Sequence, residues 1–322
     1  MLRTFVAFVK LAQVILISNK LKTNKLFSEL NQELSKFGFE LSEAQRKRIF
    51  FYTAQSAITN HWFSQLRGFK PTASEAKNAI YLGAFTPIAD DLMDGQNITF
   101  EALLAQKKTD TSDAVLFAYL YDKLQASFIG NPQFESYFVK AHEAQNESLK
   151  QLCKTKLTTD QLKLISYNKG GFYTLLYRMV LSNKPVPNEE EAIYTLGAIM
   201  QLLNDLFDMH KDYHNKSQTL VTSTADLAFV KSQLEELEHK FISLYRNLDY
   251  PKSHIRNSLS SIMAIVTRGH VALIYYQKLQ GTKEKLPIEN YERKDLIVDM
   301  EKPKNIWRNL IACKNALHKY RN

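Results

Sequence analysis

Apolar residues recur at the spacing of an α-helix along almost the whole chain, and this periodicity limits the fold more than any other feature. Residues that break helices are scarce, with ten glycines and eight prolines among 322 residues. The alternation that is typical of strands, bounded by turn residues, is rare. The sequence therefore predicts an all-α protein, organised as a single helical-bundle domain over residues 1–322.

The periodic segments predict a series of helices whose ends are expected to shift by about 2–4 residues. These segments are 3–19, 24–37, 43–66, 73–95, 111–128, 132–153, 158–182, 188–214, 223–247, 251–280 and 303–320. Ser42 is placed to cap the helix that starts at 43, and the acidic residues at 189–191 suit a helix N-terminus. Residues 281–302 are charged and contain breakers, which predicts a loop or lid. We therefore treat 281–322 as a C-terminal extension.

The first twenty residues form an amphipathic, helix-forming segment that could be mistaken for a membrane span. Lys10 divides its apolar run, and the uninterrupted part, Leu11 to Ser18, is far shorter than the roughly 20 residues that cross a bilayer. No small-residue cleavage site follows, as a signal peptide would require. The open interpretations are a helix that docks on the core, a helix that lies in the membrane interface, and a cleaved targeting segment.

The charge balance and the cysteine content limit the cellular compartments and the classes of binding partner that the sequence predicts. A net charge of +9 suggests an acidic partner, such as nucleic acid, anionic lipid or a phosphorylated small molecule. No compact Lys/Arg block and no nucleic-acid-binding motif is present, so we expect no nucleic-acid partner. Two distant cysteines fit a reducing compartment, which predicts a cytoplasmic protein. Peripheral membrane contact through the N-terminal helix and formation of a homodimer are left open.

The string TPIADDLMDGQ at 86–96 places three carboxylates behind a nearly apolar run. Asp90 and Asp94 are four residues apart and share one helical face, and Asp91 flanks that face. Carboxylates that point into a bundle cost several kcal/mol each unless they are balanced. Mg²⁺ would balance them, because it binds one or two carboxylates and completes its shell with water and phosphate oxygens. The alternative is a solvated acidic helix end.

A second oxygen-bearing stripe lies in the string GAIMQLLNDLFDMHKD at 197–212. Asn204, Asp208 and Asp212 follow at i, i+4 and i+8, so they share one helical face. Asp205 flanks this face, and Gly197 leaves room for another group to approach the backbone. If the two stripes face a common cavity, they would form a multi-metal site; the alternative is an exposed acidic surface.

Both stripes resemble motifs of one superfamily. Asp90-Asp91-Leu92-Met93-Asp94 resembles the first aspartate-rich motif of class I isoprenoid synthases. The string from Asn204 to Asp212 is similar to the second motif of class I terpene synthases, N-D-x-x-S-x-x-x-E with Lys before the final acid. Asp208 replaces Ser or Thr and Asp212 replaces Glu, but both keep an oxygen. Asp208 also makes the string similar to the second D-D-x-x-D motif of trans-prenyltransferases.

The resemblance implies an isoprenoid-synthase-type bundle around a deep central pocket. Three Mg²⁺ ions, or Mn²⁺ in their place, would hold a linear prenyl diphosphate. Two ions would bind Asp90 and Asp94, and one would bind Asn204, Asp208 and Asp212. The implied enzyme is a carbon–oxygen lyase: ionisation releases diphosphate, and the allylic carbocation is cyclised or quenched. The implied catalytic residues are Asp90, Asp91, Asp94, Asn204, Asp208 and Asp212.

A leaving diphosphate also needs hydrogen-bond donors, and a carbocation needs an unreactive aromatic wall. The candidate diphosphate-binding residues are Lys169, Arg178, Lys211 and Arg268. Two glycines after Lys169 are expected to break or kink the helix and expose N–H groups to an anion. In the family, Arg is followed by Tyr late in the chain, whereas Gly follows Arg268 here. The candidate pocket residues are Phe85, Phe172 and Tyr173. The alternatives are surface cations and ordinary core aromatics.

Several other functions remain open at this point. A chain-elongating prenyltransferase typically carries a G-G-K-x-x-R-P string and paired arginines after the first motif, and neither is present. Condensation as in squalene or phytoene synthases and a non-catalytic prenyl-diphosphate-binding protein are also retained. A di-iron bundle needs Glu-x-x-His on two helices, and Glu236 to His239 is the only such string.

Overall fold

A computed structural model describes residues 2–96, 98–106 and 110–319, with side chains from Phe5 onward. The protein is 80% helical, and its described residues contain no strand, which confirms the all-α prediction. The tertiary contacts group the chain into two compact units. The N-terminal unit comprises Val9–Leu149 and Leu176–Lys184, and the C-terminal unit comprises Met1–Phe8, Lys150–Leu175 and Pro185–Asn322. A single domain stays a prediction, and each unit is described by itself.

Six of the described helices lie within the N-terminal unit, and a local sequence signal marks the start of α3. They are α2 (Lys20–Ser35), α3 (Glu43–Arg67), α4 (Ala73–Gln96), α5 (Phe100–Gln106), α6 (Ser112–Phe128) and α7 (Pro132–Ser148). Two more helices, α1 (Leu2–Gln13) and α8 (Thr159–Met179), cross a unit boundary, and a π-helical segment (Val14–Asn19) joins α1 to α2. Ser42 caps α3 as predicted: its side chain accepts from Gln45 N at 3.1 Å, and Gln45 accepts from Ser42 N at 2.8 Å.

The C-terminal unit holds the remaining helices and most of the irregular structure. The helices are α9 (Glu189–Phe207), α10 (Met209–His214), α11 (Leu220–Thr224), α12 (Leu227–Arg246), α13 (Lys252–Val266), α14 (Arg268–Gln280) and α15 (Pro303–Lys319). Residues 281–302 are irregular apart from the short 3₁₀ turns Ile288–Asn290 and Arg293–Leu296. The predicted end of the last helix, at residue 320, lies outside the described residues.

Several features of the helix pattern differ from the prediction. Residues 20–23, which were predicted to separate two helices, are helical. The segment 188–214 divides at Asp208 into α9 and α10, and the segment 251–280 divides at Thr267 into α13 and α14. Helix α5 lies in a region for which no helix was predicted. The division at Thr267 occurs at a residue that hydrogen-bonds to Asn309 on α15, a contact that the helical period does not encode.

The core of the N-terminal unit forms where α4 packs against α3 and α6. Gly83 permits the close approach to α3, because a Cβ there would lie 2.9 Å from Ser56 Cβ. An aromatic cluster surrounds the fully buried ring of Phe85. Its members are Phe85, Phe100, Phe117, Tyr121, Phe138 and His142, with contacting ring centroids 3.8–6.3 Å apart. Clustered aromatic rings of this kind contribute buried area and favourable edge-to-face contacts.

The core of the C-terminal unit is built from α9, α12 and α14. Gly269 lets α14 approach closely, since a Cβ there would lie 2.3 Å from Leu203 Cδ2. Among the described residues, 252–280 is the one helical stretch long and apolar enough to cross a membrane, and 72% of its window is buried. That burial accounts for its apolar composition as part of this core.

Candidate functional site

The second aspartate-rich stripe lies where α9 ends and α10 begins, in the C-terminal unit. Asp208 is the single residue between the two helices, yet its N–H donates to Asn204 O at 2.9 Å. Asp212 N donates in turn to Asp208 O at 2.9 Å. The i, i+4 backbone pattern therefore continues through the division, and the predicted stripe keeps its spacing.

Asp205 is the buried carboxylate of this cluster, whereas Asn204 is exposed. Ser166 on α8 donates to Asp205 Oδ2 at 2.8 Å, and Gln201 donates to Oδ1 at 2.8 Å. Burial raises the pKa of Asp205; these two hydrogen bonds and the charge of Lys169 partly offset that rise. Asp205 is thus anchored inside the unit, and the oxygens of the predicted stripe lie around it.

Negative charge accumulates at Asp212. Burial, together with the smaller effect of the neighbouring carboxylates of Asp205 and Asp208, raises its pKa to about 7. Lys211 and Lys169 act against this rise. Lys211 Nζ lies 3.7 Å from Asp208 Oδ2, but its side chain is largely exposed, so the pair is weak. The cluster therefore holds more carboxylate charge than its cations balance.

Lys169 lies on α8, close enough for its charge to lower the pKa of both Asp205 and Asp212. The predicted break at the following glycines is absent, because α8 is continuous from Thr159 to Met179. A Cβ on Gly170 would lie 2.1 Å from Gly197 O. The glycines therefore bring α8 against α9 and do not form an anion-binding turn. The space predicted at Gly197 is filled by α8.

The first aspartate-rich motif lies near the C-terminal end of α4, in the N-terminal unit. Asp90 is buried in this unit. Burial raises the pKa of Tyr52 on α3, and the nearby Asp90 carboxylate adds a smaller rise. Asp91 is half-exposed and forms an ion pair with Arg48. Burial raises the pKa of Asp91 and Arg48 partly offsets this rise. Asp91 is thus engaged by an arginine, whereas Asp94 is not.

The third aspartate of this motif and the polar groups behind it complete the first cluster. Asp94 is exposed, and its Oδ1 accepts a hydrogen bond from Gln145 Nε2 at 3.2 Å. The Tyr177 hydroxyl lies 3.1 Å from Thr86 Oγ1, one turn before Asp90. Burial raises the pKa of Tyr177, and Asp90 adds to that rise. Two tyrosines and one buried carboxylate therefore share this part of the unit.

The two predicted arginines have different surroundings. Arg178 is buried in the N-terminal unit, and its Nη1 donates to Asn183 O at 3.0 Å. Arg268 is the first residue of α14, where burial lowers its pKa and Glu301 partly offsets the effect. The roles of Arg178 and Arg268 in binding diphosphate stay predictions.

The predicted pocket aromatics all pack against other residues. Phe85 lies within the aromatic cluster of the N-terminal unit, 5.4 Å from the Phe117 ring centroid. Phe172 packs edge-to-face on Tyr194 at 5.4 Å, and Tyr173 is buried. Their role in lining a substrate pocket stays a prediction.

Four residues that surround the aspartates were not predicted as site residues: Arg48, Tyr52, Ser166 and Gln201. Arg48 reaches Asp91 from 43 positions earlier in the chain, and Ser166 reaches Asp205 from 39 positions earlier. No periodic signal connects residues so far apart. Gln201 lies one turn before Asp205, so the sequence places it on the right face but does not show its hydrogen bond.

An open depression of about 420 Å³ lies beside α10 in the C-terminal unit. Polar side chains from residues 213–223 line it, including His214, Lys216 and Thr222. The nearby segment 281–302 is held to α14 by two tyrosines. Tyr275 donates to Asp295 O at 2.9 Å, and Tyr276 donates to Leu296 O at 2.9 Å. This segment is therefore fixed to the unit by specific hydrogen bonds.

No protein-family model, no curated protein and no solved structure matches the chain. The function is therefore inferred from the chemistry of the two clusters.

The donor atoms of the two clusters suit a hard divalent cation. Among the residues that the structure describes, no three His, Cys, Asp or Glu side chains converge into a ready metal site. Mg²⁺ does not require one, since it commonly takes one or two carboxylates and fills its shell with waters and substrate phosphates. Burial is the largest cause of the raised pKa of Asp212, and the carboxylates of Asp205 and Asp208 add to it; a cation beside these groups would favour their charged forms. The residues present therefore fit Mg²⁺.

Proposed function

We propose that the chain is a Mg²⁺-dependent class I terpene synthase that acts on a linear prenyl diphosphate. The observation that carries the proposal is the placement of Asp208, Asp212 and Lys169 around Asp205, whose buried carboxylate accepts hydrogen bonds from Ser166 and Gln201. The motif spacing supports it, because Asn204, Asp208 and Asp212 keep their i, i+4 backbone hydrogen bonds. The all-α fold is also consistent with it.

Each group of side chains has its own role in this proposal. The metal ligands are Asp90, Asp94, Asn204, Asp208 and Asp212. Bound Mg²⁺ would supply Lewis-acid stabilisation of the charge on the departing diphosphate. Lys169 and Lys211 donate hydrogen bonds to diphosphate oxygens, and Arg178 and Arg268 are the further candidates. Asp205 is fixed by Ser166 and Gln201, and it adds a further negative charge beside Asp212.

The bond that breaks joins the allylic carbon to the diphosphate oxygen, and its electron pair leaves with diphosphate. The resulting carbocation is cyclised or quenched inside an apolar pocket of the isoprenoid-synthase type. Aromatic faces stabilise a cation without supplying a nucleophile. Phe172 and Tyr173 are the proposed aromatic lining in the C-terminal unit, and Phe85 stays a candidate in the N-terminal unit.

The experiment is incubation with Mg²⁺ and prenyl diphosphates of ten, fifteen, twenty and twenty-five carbons, each with and without isopentenyl diphosphate. Hydrocarbon or alcohol products from one substrate alone, with release of diphosphate, support the proposal. Product that forms only with isopentenyl diphosphate overturns it in favour of a prenyltransferase. Tight Mg²⁺-dependent binding without turnover overturns it in favour of a binding protein.

Two variants test the assigned ligands. Asp90→Asn and Asn204→Ala should each lower diphosphate release at least about 100-fold, because each removes an oxygen that stabilises developing charge. Asp122→Asn is the matched control, since Asp122 is exposed on α6 and outside both clusters. Circular dichroism should show equal helical content in all three. Near-wild-type turnover in both ligand variants would contradict the assignment.

A further inference from the structure

The N-terminal helical segment carries a row of large apolar side chains that the described part of the chain leaves exposed. They are Phe5, Val6, Val9, Leu16, Ile17 and Leu21, each between 41% and 67% exposed. We call this row the outer face of residues 5–21. Single exposed apolar residues are ordinary, but six in one short segment are a concentration of the kind that marks an interaction site.

The π-helical segment keeps Leu21 on the same side as the earlier residues of this row. In a straight α-helix, successive residues turn by about 100°, so Leu16 would still lie near Phe5 and Val9, whereas Leu21 would lie about 160° away from Phe5. A π turn holds about one residue more than an α turn, and Val14–Asn19 therefore turns the helix back by roughly that amount. The opposite side is consistent with this geometry, because Leu11, Asn19 and Thr23 are all buried.

The charged residues of this N-terminal segment have one sign. Residues 1–28 contain Arg3, Lys10, Lys20, Lys22 and Lys25, and the first acidic residue is Glu29. The four lysines are exposed. Long basic side chains beside an apolar face can extend their charged ends toward phosphate groups while their stems lie on apolar surface.

We propose that the outer face of residues 5–21 binds the protein to the surface of a bilayer that contains anionic lipids. An amphipathic helix of this kind lies in the interfacial plane, with its apolar side chains about 5–10 Å deep and its cations among the headgroups. A second copy of the chain is a poorer occupant, because it would bring two lysine-rich, acid-free segments together. The proposal does not depend on the proposed catalytic function.

The test is co-sedimentation of the full chain with vesicles. The wild type should bind phosphatidylcholine vesicles containing about 30% phosphatidylglycerol, bind pure phosphatidylcholine much less, and be released by about 0.5 M salt. The triple variant Leu16→Ser, Ile17→Ser, Leu21→Ser should bind at least about tenfold more weakly, because it loses three penetrating side chains. Lys20→Glu with Lys22→Glu should weaken binding to anionic vesicles only.

A matched control uses exposed apolar residues elsewhere. Ile129→Ser with Leu164→Ser removes side chains that are 85% and 61% exposed, and binding should stay at the wild-type level. Trp307→Ser probes the other apolar and basic helix, α15, where Trp307 is exposed. Loss of binding in Trp307→Ser, with wild-type binding in the triple variant, would overturn the proposal.

A fluorescent label reports the position directly. In a Cys153→Ser background, an environment-sensitive dye on Leu16→Cys should shift its emission to shorter wavelength with anionic vesicles, since the other cysteine, Cys313, is buried. The same dye on Ala126→Cys, at an exposed position of α6, should not shift. No shift at position 16 would overturn the proposal. So would a wild-type dimer that becomes monomeric in the triple variant while neither protein binds vesicles.

Discussion

At the scale of single residues, burial decides which charge a side chain can hold. His142 is the clearest case outside the candidate site. It is 2% exposed, its ring stacks on Phe100 with centroids 3.8 Å apart, and its Nδ1 lies 2.6 Å from Phe138 O. Burial lowers its pKa to about 4, from an ordinary value of 6.5. The folded protein therefore holds His142 neutral at a pH where an unfolded chain would protonate it.

This shift predicts a loss of stability in acid. Because the pKa is lower in the folded state, the unfolded state binds more protons between about pH 6.5 and pH 4, and stability falls as pH falls through that range. From about pH 7.5 to 4.5, His142 should cost roughly 2–3 kcal/mol. His142→Phe should remove this part of the pH dependence, measured by urea unfolding at both pH values.

A control variant and a second histidine, His61, make the result specific. Tyr121→Phe changes another member of the same aromatic cluster without removing a histidine, and it should leave the pH dependence as in the wild type. His61, whose pKa burial also lowers to about 4, should still contribute in His142→Phe. The same acid sensitivity in His142→Phe as in the wild type would contradict this account.

At the scale of helices, hydrogen bonds to a distant residue explain a helix end that periodicity did not predict. Thr267 divides α13 from α14, and its Oγ1 lies 2.7 Å from both Met263 O and Asn309 Oδ1. Asn309 Nδ2 also donates to Ala264 O at 2.9 Å. A residue on α15 therefore satisfies the polar groups at the end of α13, which an uninterrupted helix would not require.

The contact between α8 and α9 gives a prediction with a matched control. Gly170→Ala places a Cβ 2.1 Å from Gly197 O, a backbone atom that cannot rotate away. It should lower the free energy of unfolding by about 3 kcal/mol. Gly95→Ala, in α4, meets nothing within 4 Å and should raise stability by about 0.5–1 kcal/mol, because alanine favours a helix. Urea unfolding of both variants measures this difference, and equal effects would contradict the close approach.

At the scale of the whole molecule, a ligand that binds only the folded protein must raise its melting temperature. The proposed site should bind Mg²⁺ with inorganic diphosphate, and saturation should raise Tm by about 2–5 °C. Diphosphate with a chelator should give no shift. Asp208→Asn should abolish the shift, whereas Asp122→Asn should keep it. If Asp208→Asn showed the same Tm shift as the wild type, the second cluster would not be part of the diphosphate site. That result would leave the membrane-binding proposal unaffected.

Local signals in the sequence determined the all-α class, most helix boundaries and the spacing of Asn204, Asp208 and Asp212. Each depends on residues within a turn or two of one another, so periodicity and caps such as Ser42 are sufficient to predict it. The cytoplasmic location and the substrate stay predictions, since neither is a property of local spacing.

The burial, the ion pairing and the helix contacts of the site residues depended on the tertiary structure. It buried Asp205 and left Asn204 exposed, paired Arg48 with Asp91 across 43 residues, and gave Gly170 a role in packing in place of an anion-binding turn. These outcomes depend on which helices meet and how closely. Helical spacing fixes where a side chain lies on its own helix, but only packing determines what it faces.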